Sequence, residues 1–356
     1  SSAASDVYKR QALMAPTGRA AKRLAISSGR DADTIHKALE ASVRETGRTY
    51  FEKNEANPLG EDLIIVDEAS MLDISLFYHL LCALKDGARL ILVGDIDQLP
   101  PVGAGEPLKD LMSWGYVPIV RLKRIFRQEE GSGIVENAAL IRKGEMCVPD
   151  EAGEFRIIYA ADDEDAYRIV MDLCRELNYG NEENKMLLQV LSPMYRGVCG
   201  VDHLNESLQE MIHGEKVPDG MKFFPGDKVM QTRNDYEKGI YNGDVGTVWT
   251  ATPQKVFVRY FDKEVVYEGE ERFDLRLAYA VTVHKSQGSE YETVIFILRP
   301  SQHNMLQRNL LYTGVTRARK NTILVTAPDA LRRALAIQHT GNRYSLFLPF
   351  LNHEAL

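Results

Sequence analysis

The stretch LIIVDEASMLD, residues 63–73, runs four apolar residues straight into two acids and then a small residue. An apolar run that ends on Asp67 and Glu68 predicts a buried strand delivering charge to the carboxyl edge of a sheet. In open α/β sheets that edge is where ligands sit. The pattern repeats on either side. ALMAP (12–16) is a short apolar run stopped by Pro16, and residues 18–27 set Ala20, Ala21, Leu24 and Ala25 on one helical face. SMLDISLFYHLLCAL (70–84) predicts a helix capped by Ser70 or Asp73, and RLILVGD (89–95) a further strand. Apolar strands each followed by a helix predict a parallel sheet buried on both faces. The polar, turn-rich stretch 44–60 reads as a loop or a small exposed hairpin.

Residues 121–150 are charged and mostly helical in pattern, and VPDEAG (148–153) marks a domain boundary near 150. A second alternating region starts with FRIIYA (155–160), passes through a helix over 163–178 and reaches LLQVLSP (187–193). From 224 to 270 short β-rich runs dominate: DKVMQT, GDVGTVWT, KVFVRYF and EVVYEG, with Asn242-Gly243 and Asp262-Lys263 as turn pairs. The parallel pattern resumes in YAVTV (279–283), TVIFIL (293–298) and TILVTA (322–327). The expected fold is α/β, with a small antiparallel barrel or sheet inserted into the second parallel domain.

The 356 residues are 44% hydrophobic and 26% charged, ordinary for a globular protein with real cores. A net charge of −8 argues against a histone-like binder, although a local basic channel can coexist with an acidic total. Cys82, Cys147, Cys174 and Cys199 show no C-x-x-C spacing, which points to a reduced, cytoplasmic interior rather than disulfides or zinc. No apolar run approaches the roughly 18–20 residues that span a bilayer, so no membrane partner is expected. SSAASDVYKRQ, residues 1–11, has no apolar signal core and abuts a strand abruptly. It reads as a non-native leader.

Asp67 stands where nucleotide hydrolases hold Mg²⁺ through water, and the adjacent Glu68 can polarise an attacking water. On its own the pair is equally an acidic cap on a strand-to-helix turn. The next strand ends LVGDIDQLPPVGAG (92–105), so Gly94 and Asp95 leave it as Asp67 leaves the first. Gln98 follows in a loop stiffened by Pro100 and Pro101, where it can sense a γ-phosphate.

Six strings now stand in order: APTGRAAKRL…TIH (15–36), VDEAS (66–70), GDIDQLPPVG (94–103), LKRIFRQ (122–128), YAVTVHKSQGSEY (279–291) and LLYTGVTRARK (310–320). Together they resemble the motifs of superfamily 1 helicases, most nearly the RecD-type 5′→3′ DNA helicases, over about residues 12–350. The resemblance implies two RecA-like motor domains of the P-loop NTPase fold. They would be a partial first domain over 12–150 and a second over 151–202 with 275–350. Residues 203–274 would form an inserted barrel of the Src-homology type, and 44–60 a candidate strand-separating pin. The resemblance also implies ATP and Mg²⁺ as cofactors. Single-stranded DNA, duplex junctions and nuclease or repair subunits are the implied partners of a monomeric motor.

By position the resemblance makes Asp67 the Mg²⁺ ligand and Glu68 the base. Asp95 joins the nucleotide site, and Gln98, Arg127 and Arg317 reach the γ-phosphate. Glu290 lies near the nucleotide sugar. Pro16, Thr17, Gly18, Arg19 and His36 would line the single-strand track on the first domain. Thr282, His284, Lys285 and Gln287 would do so on the second. The cluster of hydroxyl, imidazole, ammonium and amide after YAVTV suits a grip on phosphate oxygens that ignores sequence. Alone, either histidine is more simply a structural one. Arg317 and Arg319 flank Ala318 at what reads as a helix start, and Arg319 with Lys320 also reads as a solvated face. On the barrel, Asn234, Tyr236 and Asn242 are candidate contacts, although turn geometry alone accounts for Asn242-Gly243. SPMYRGVCGVDHLNESLQE (192–210) matches the family's lead-in to the barrel.

No glycine opens the phosphate loop G-x-x-x-x-G-K-S/T. In the family that loop lies just upstream of ALMAPTGRAA, so truncation is expected. With it go weak ATP binding, poor hydrolysis and an exposed apolar edge on the first sheet. Two other readings stay open: a single-strand-binding module without ATP turnover, and the motor of a conjugative relaxase-helicase.

Overall fold

The computed structural model describes residues 10–43, 49–122, 131–235, 237–261, 263–338 and 347–352. The chain divides into two compact units, residues 1–122 with 341–356 and residues 123–340.

In the first unit the strands are β1 (Gln11–Ala15), β2 (Asp33–Thr34), β3 (Ala41–Val43), β4 (Thr49–Phe51), β5 (Leu63–Val66) and β6 (Arg89–Leu92). Four of them form a parallel sheet in the order β2-β1-β5-β6, while β3 and β4 make a separate antiparallel hairpin. That hairpin brackets residues 44–48, which lie outside the described residues. Thr17 caps helix Gly18–Ser28, its Oγ1 accepting from Ala20 N at 3.2 Å. The next helix, Ile74–Cys82, is shorter than 70–84 because residues 69–71 form a 3₁₀ turn; Asp73, not Ser70, caps it, accepting from Leu76 N at 2.8 Å. Met14, Ile64, Val66, Phe77 and Leu80 are the core. The sheet is not buried on both faces throughout. β6 is its outer strand among the described residues, and there Ile91 and Val93 are 46% and 44% exposed.

The second unit contains β7 (Phe155–Tyr159), β8 (Leu188–Ser192), β9 (Lys228–Gln231), β10 (Val245–Ala251), β11 (Lys255–Arg259), β12 (Glu264–Glu268), β13 (Leu275–Leu277), β14 (Ala280–Thr282), β15 (Tyr291–Leu298) and β16 (Ala318–Thr326). A parallel sheet runs β14-β8-β15-β16-β7, and an antiparallel one runs β12-β11-β10-β9-β13. β8 is buried at every position, as a central parallel strand requires. In the antiparallel sheet β12 alternates exposed and buried residues while β9 is buried throughout, and the sheet carries its own core of Val229, Val248, Val258, Tyr267 and Leu275.

Three boundaries differ from the sequence reading. Helix Gly133–Lys143 packs on helix Arg308–Val315 and on β16, so it belongs to the second unit although it precedes residue 150. Residues 203–213 lie in helix Val201–His213, whose Leu204 and Leu208 enter the parallel-sheet core rather than the barrel. β13, at 275–277, pairs with β9 and therefore closes the barrel sheet instead of reopening the parallel one. No helix among the described residues is long and apolar enough to cross a membrane.

Barrel and parallel sheet are joined through Asp227 and Lys228, both fully buried. The Asp227 carboxylate accepts from Gln209 Nε2 (2.5 Å), Phe224 N (2.7 Å) and Tyr279 OH (2.9 Å), and pairs with His213 Nε2 at 2.9 Å. Lys228 Nζ donates to Gln189 Oε1 (3.0 Å) and Leu188 O (3.1 Å), and lies 5.5 Å from the Tyr179 ring centre. Removing one side strands buried polar groups. Asp227→Ala and Lys228→Met are each expected to cost about 3–5 kcal/mol in urea unfolding. Breaking the exposed Lys255–Glu268 pair should cost below about 1 kcal/mol. Equal losses would mean that the buried pair does not anchor the barrel.

Candidate functional site

The first unit builds an acidic edge at the carboxyl ends of its strands. Asp67 N donates to Met14 O at 2.9 Å, Ala69 N donates to Val93 O at 2.8 Å, and Asp67 Oδ1 accepts from Glu68 N at 2.9 Å. These bonds hold Glu68 at φ 51°, ψ 37°, a left-handed conformation that costs a non-glycine residue about 1–3 kcal/mol. Strain of this kind persists only where the surroundings over-determine it. The turn after β6 lies against this one. A Cβ on Gly94 would stand 2.8 Å from Ser70 N and from Leu108 Cδ2, so only glycine permits the approach. Asp95 Oδ1 then accepts from Asp97 N at 3.0 Å, and Gln98 lines a crevice with Ser70, Leu99, Pro100 and Lys109. The buried Ser70 Oγ beside that crevice has no hydrogen-bond partner.

Asp67, Glu68, Asp95 and Gln98 are therefore neighbours at one edge. No described group of three or more His, Cys, Asp or Glu side chains is arranged to hold a metal. A cation here would rest on one carboxylate, water and the oxygens of a ligand, which fits Mg²⁺. At the same end of the sheet, Ala15 pairs with Thr34, so Pro16–Arg19 and His36 leave adjacent strands together. Thr17 Oγ1 serves as the helix cap. The His36 ring lies 5.9 Å from that of Phe51, tilted by 39°, and burial lowers its pKa against an opposing pull from Asp73.

In the second unit Thr282 pairs with Ser192 at the carboxyl ends of β14 and β8. Thr282 Oγ1 accepts from Lys285 N at 3.2 Å, and Lys285 Nζ donates to Asn242 Oδ1 at 2.7 Å. Asn242 N in turn donates to Asn234 Oδ1 at 2.9 Å. Four expected nucleic-acid residues thus form one hydrogen-bonded chain from parallel sheet to barrel. Burial lowers the pKa of His284, and burial with the nearby Arg276 lowers that of Lys285. Gln287 is buried. Arg276 was not singled out from the sequence; one arginine in a three-residue strand carries no pattern. Arg127 and Tyr236 lie outside the described residues.

Arg317 follows the end of helix Arg308–Val315 and precedes β16, so the run RARK is a helix end and strand start, not a helix start. Its buried guanidinium donates from Nε to Thr313 O (3.1 Å) and from Nη1 to Ser289 O (3.3 Å). Glu290 is next in the chain, with a carboxylate oxygen 3.9 Å from Arg319 Nε. Lys320 pairs with Glu292 on the exposed face.

Three family models match the chain: an AAA domain over residues 2–104, the ATP-dependent RecD-like DNA helicase SH3 domain over 204–260, and the UvrD-like helicase C-terminal domain over 277–325. The ATP-dependent RecD2 DNA helicase of Deinococcus radiodurans is 38% identical over 338 residues, covering 94% of this chain and 45% of that protein. The RecBCD enzyme subunit RecD of Mycolicibacterium smegmatis is 32% identical over 372 residues, covering 95% and 66%. The chain belongs to the RecD-type helicases of superfamily 1. It spans about half to two thirds of the length of these RecD-type relatives. Among solved structures, Pif1 helicase from Bacteroides in complex with ADP-AlF3 and ssDNA superposes with a TM-score of 0.56 at 20% identity, covering 97% of this chain and 87% of that one. Pif1 helicase from Candida albicans gives 0.55 at 18%, covering 95% and 89%. These likenesses show that the RecD-type chain shares the superfamily's fold.

Because burial lowers the pKa of His36 and His284, the unfolded chain takes up protons more readily than the folded chain as pH falls. Stability should be greatest above the ordinary histidine value of 6.5 and fall as pH drops through it. Urea midpoints across that range check the sign, and the double variant His36→Gln/His284→Gln should show a flatter dependence.

Proposed function

We propose that this chain is the motor part of an ATP-driven DNA helicase that moves 5′→3′ along a single strand and separates duplex, in recombination or repair. The observation that carries the reading is the chain Thr282–Lys285–Asn242–Asn234, which sets polar groups of the parallel sheet and the barrel along one line. Such groups grip a backbone without reading bases. The Deinococcus relative is named as an ATP-dependent DNA helicase, and the Bacteroides Pif1 structure contains ssDNA. Both support carrying the activity to this chain.

Bound Mg·ATP would supply the phosphoryl bond whose hydrolysis drives stepping. Within the first unit, Asp67 would hold the hydrated cation, Glu68 would orient the attacking water, Gln98 would sense the terminal phosphate and Asp95 would line the nucleotide site. On the second unit Arg127 and Arg317 are the candidates to offset phosphate charge, and Glu290 the candidate near the sugar. Pro16, Thr17, Gly18, Arg19 and His36 continue the strand's path on the first unit, with His284 and Gln287 on the second. Residues 44–60, which include β4, are the candidate pin. The chain acts as a monomer at DNA junctions, where repair subunits join it.

The sequence contains no phosphate loop, so the chain as given should bind ATP weakly and turn it over poorly. That same feature favours a second reading, a single-strand-binding module without turnover. Joining a strand and a G-x-x-x-x-G-K-S/T loop ahead of residue 12 separates the two. ATPase activity stimulated by single-stranded DNA is expected, cut about 100-fold or more by Glu68→Gln. Strand binding with no stimulated turnover would sink the motor reading. Glu68→Gly should abolish turnover while leaving thermal stability unchanged or higher by up to about 1 kcal/mol, since glycine adopts positive φ freely.

A further inference from the structure

We propose that Arg276 and Tyr195 form a further contact site for single-stranded nucleic acid, beside Lys285 where the parallel sheet meets the barrel; this rests on the single-strand reading above. Just beyond Ser192, which pairs with Thr282, the chain turns out into the exposed tip Tyr195-Arg196-Gly197. The tip is rigidly framed. Val201 N donates to Met194 O (2.9 Å), Asp202 N to Tyr195 O (3.0 Å) and Ser192 Oγ to Cys199 O (2.6 Å). Gly197 turns the tip at φ 98°, and the Tyr195 side chain stands 41% exposed on this frame. A ring presented to solvent from a hydrogen-bonded loop is what base stacking uses.

Asp202, whose N–H bonds the Tyr195 carbonyl, has Oδ1 3.9 Å from an Arg276 guanidinium nitrogen. Arg276 lies on β13 between the buried Leu275 and the half-buried Leu277, so strand alternation turns its side chain outward. Lys222 Nζ donates to Leu275 O at 2.6 Å, which puts a second cation beside it. Burial and then the positive charge of Arg276 depress the pKa of both Lys222 and Lys285; Arg272 adds to the effect at Lys222. Cationic side chains therefore gather around Arg276 on a chain of net charge −8. Such mutual repulsion is relieved by a polyanion. The guanidinium matches a phosphate, and the neighbouring ring matches an unpaired base.

Fluorescence anisotropy with a labelled oligothymidylate, measured over a range of salt, tests the site. Arg276→Ala should weaken binding several-fold and lower the slope of log K against log salt by about 0.7, the loss of one phosphate contact, whereas Arg276→Lys keeps the slope. Tyr195→Ala should weaken binding about tenfold with the slope unchanged, and Tyr195→Phe should restore it. Unchanged thermal midpoints exclude misfolding. If Lys285→Ala loses affinity while Arg276→Ala and Tyr195→Ala do not, the further site is overturned and the single-strand reading stands. If the unaltered chain does not bind the oligonucleotide, both fall.

Discussion

The second unit depends on a buried pair of opposite charges adjacent in sequence. Asp227 and Lys228 open the barrel, yet apart from Phe224 N the bonds described above go to Gln209, His213, Tyr279, Gln189 and the Leu188 carbonyl on the parallel-sheet side. Burying both charges is tolerable only because each is surrounded by hydrogen-bonding groups. The consequence reaches the surface. With the start of β9 locked, the turn at Asn242 has a set position relative to the loop after β14, and Lys285 bridges the two. A hydrogen-bonded line spread over two substructures holds its shape only if their junction is stiff.

The first unit works by a different constraint. Two acidic turns must lie side by side, and the chain meets this with one glycine and one strained residue. Gly94 admits the approach, and Glu68 takes a left-handed conformation that its side chain does not favour. Local strain of this kind is a common trade where a site needs a particular geometry. Asp67 is held from both sides, by the backbone of β1 and by the N–H of Glu68, so its direction is set before any ligand arrives.

Much of this was legible from local pattern. LIIVD, LLQVLS and TVIFIL read as strands because apolar runs of that length bounded by turn residues have few other solutions. Asp73 and Thr17 announce their helix starts through side-chain oxygens that accept nearby N–H groups. The acidic pair and the run GDIDQ fall at strand ends because the apolar run stops there. Other features carried no such signal. Residues 201–213 follow a loop and precede a β-rich region, so only packing of Leu204 and Leu208 against the sheet assigns them to it. β13 is too short to show a period. The half-exposed side chains of β6 match those of a buried strand in sequence, since exposure depends on what lies alongside.

By itself, the sequence determined the element types, the α/β class, the order of the motifs and the acids that end the strands. These are encoded over a few residues, through periodicity and side-chain to backbone bonds within a turn. Only the tertiary structure decided that Lys285 meets Asn242, 43 residues earlier in the chain, that Arg299 reaches Asp163, and that Arg317 is sheathed by main-chain carbonyls. Those pairings follow from strand register and core packing, where residues far apart in sequence compete for the same neighbours, and no local pattern records the outcome.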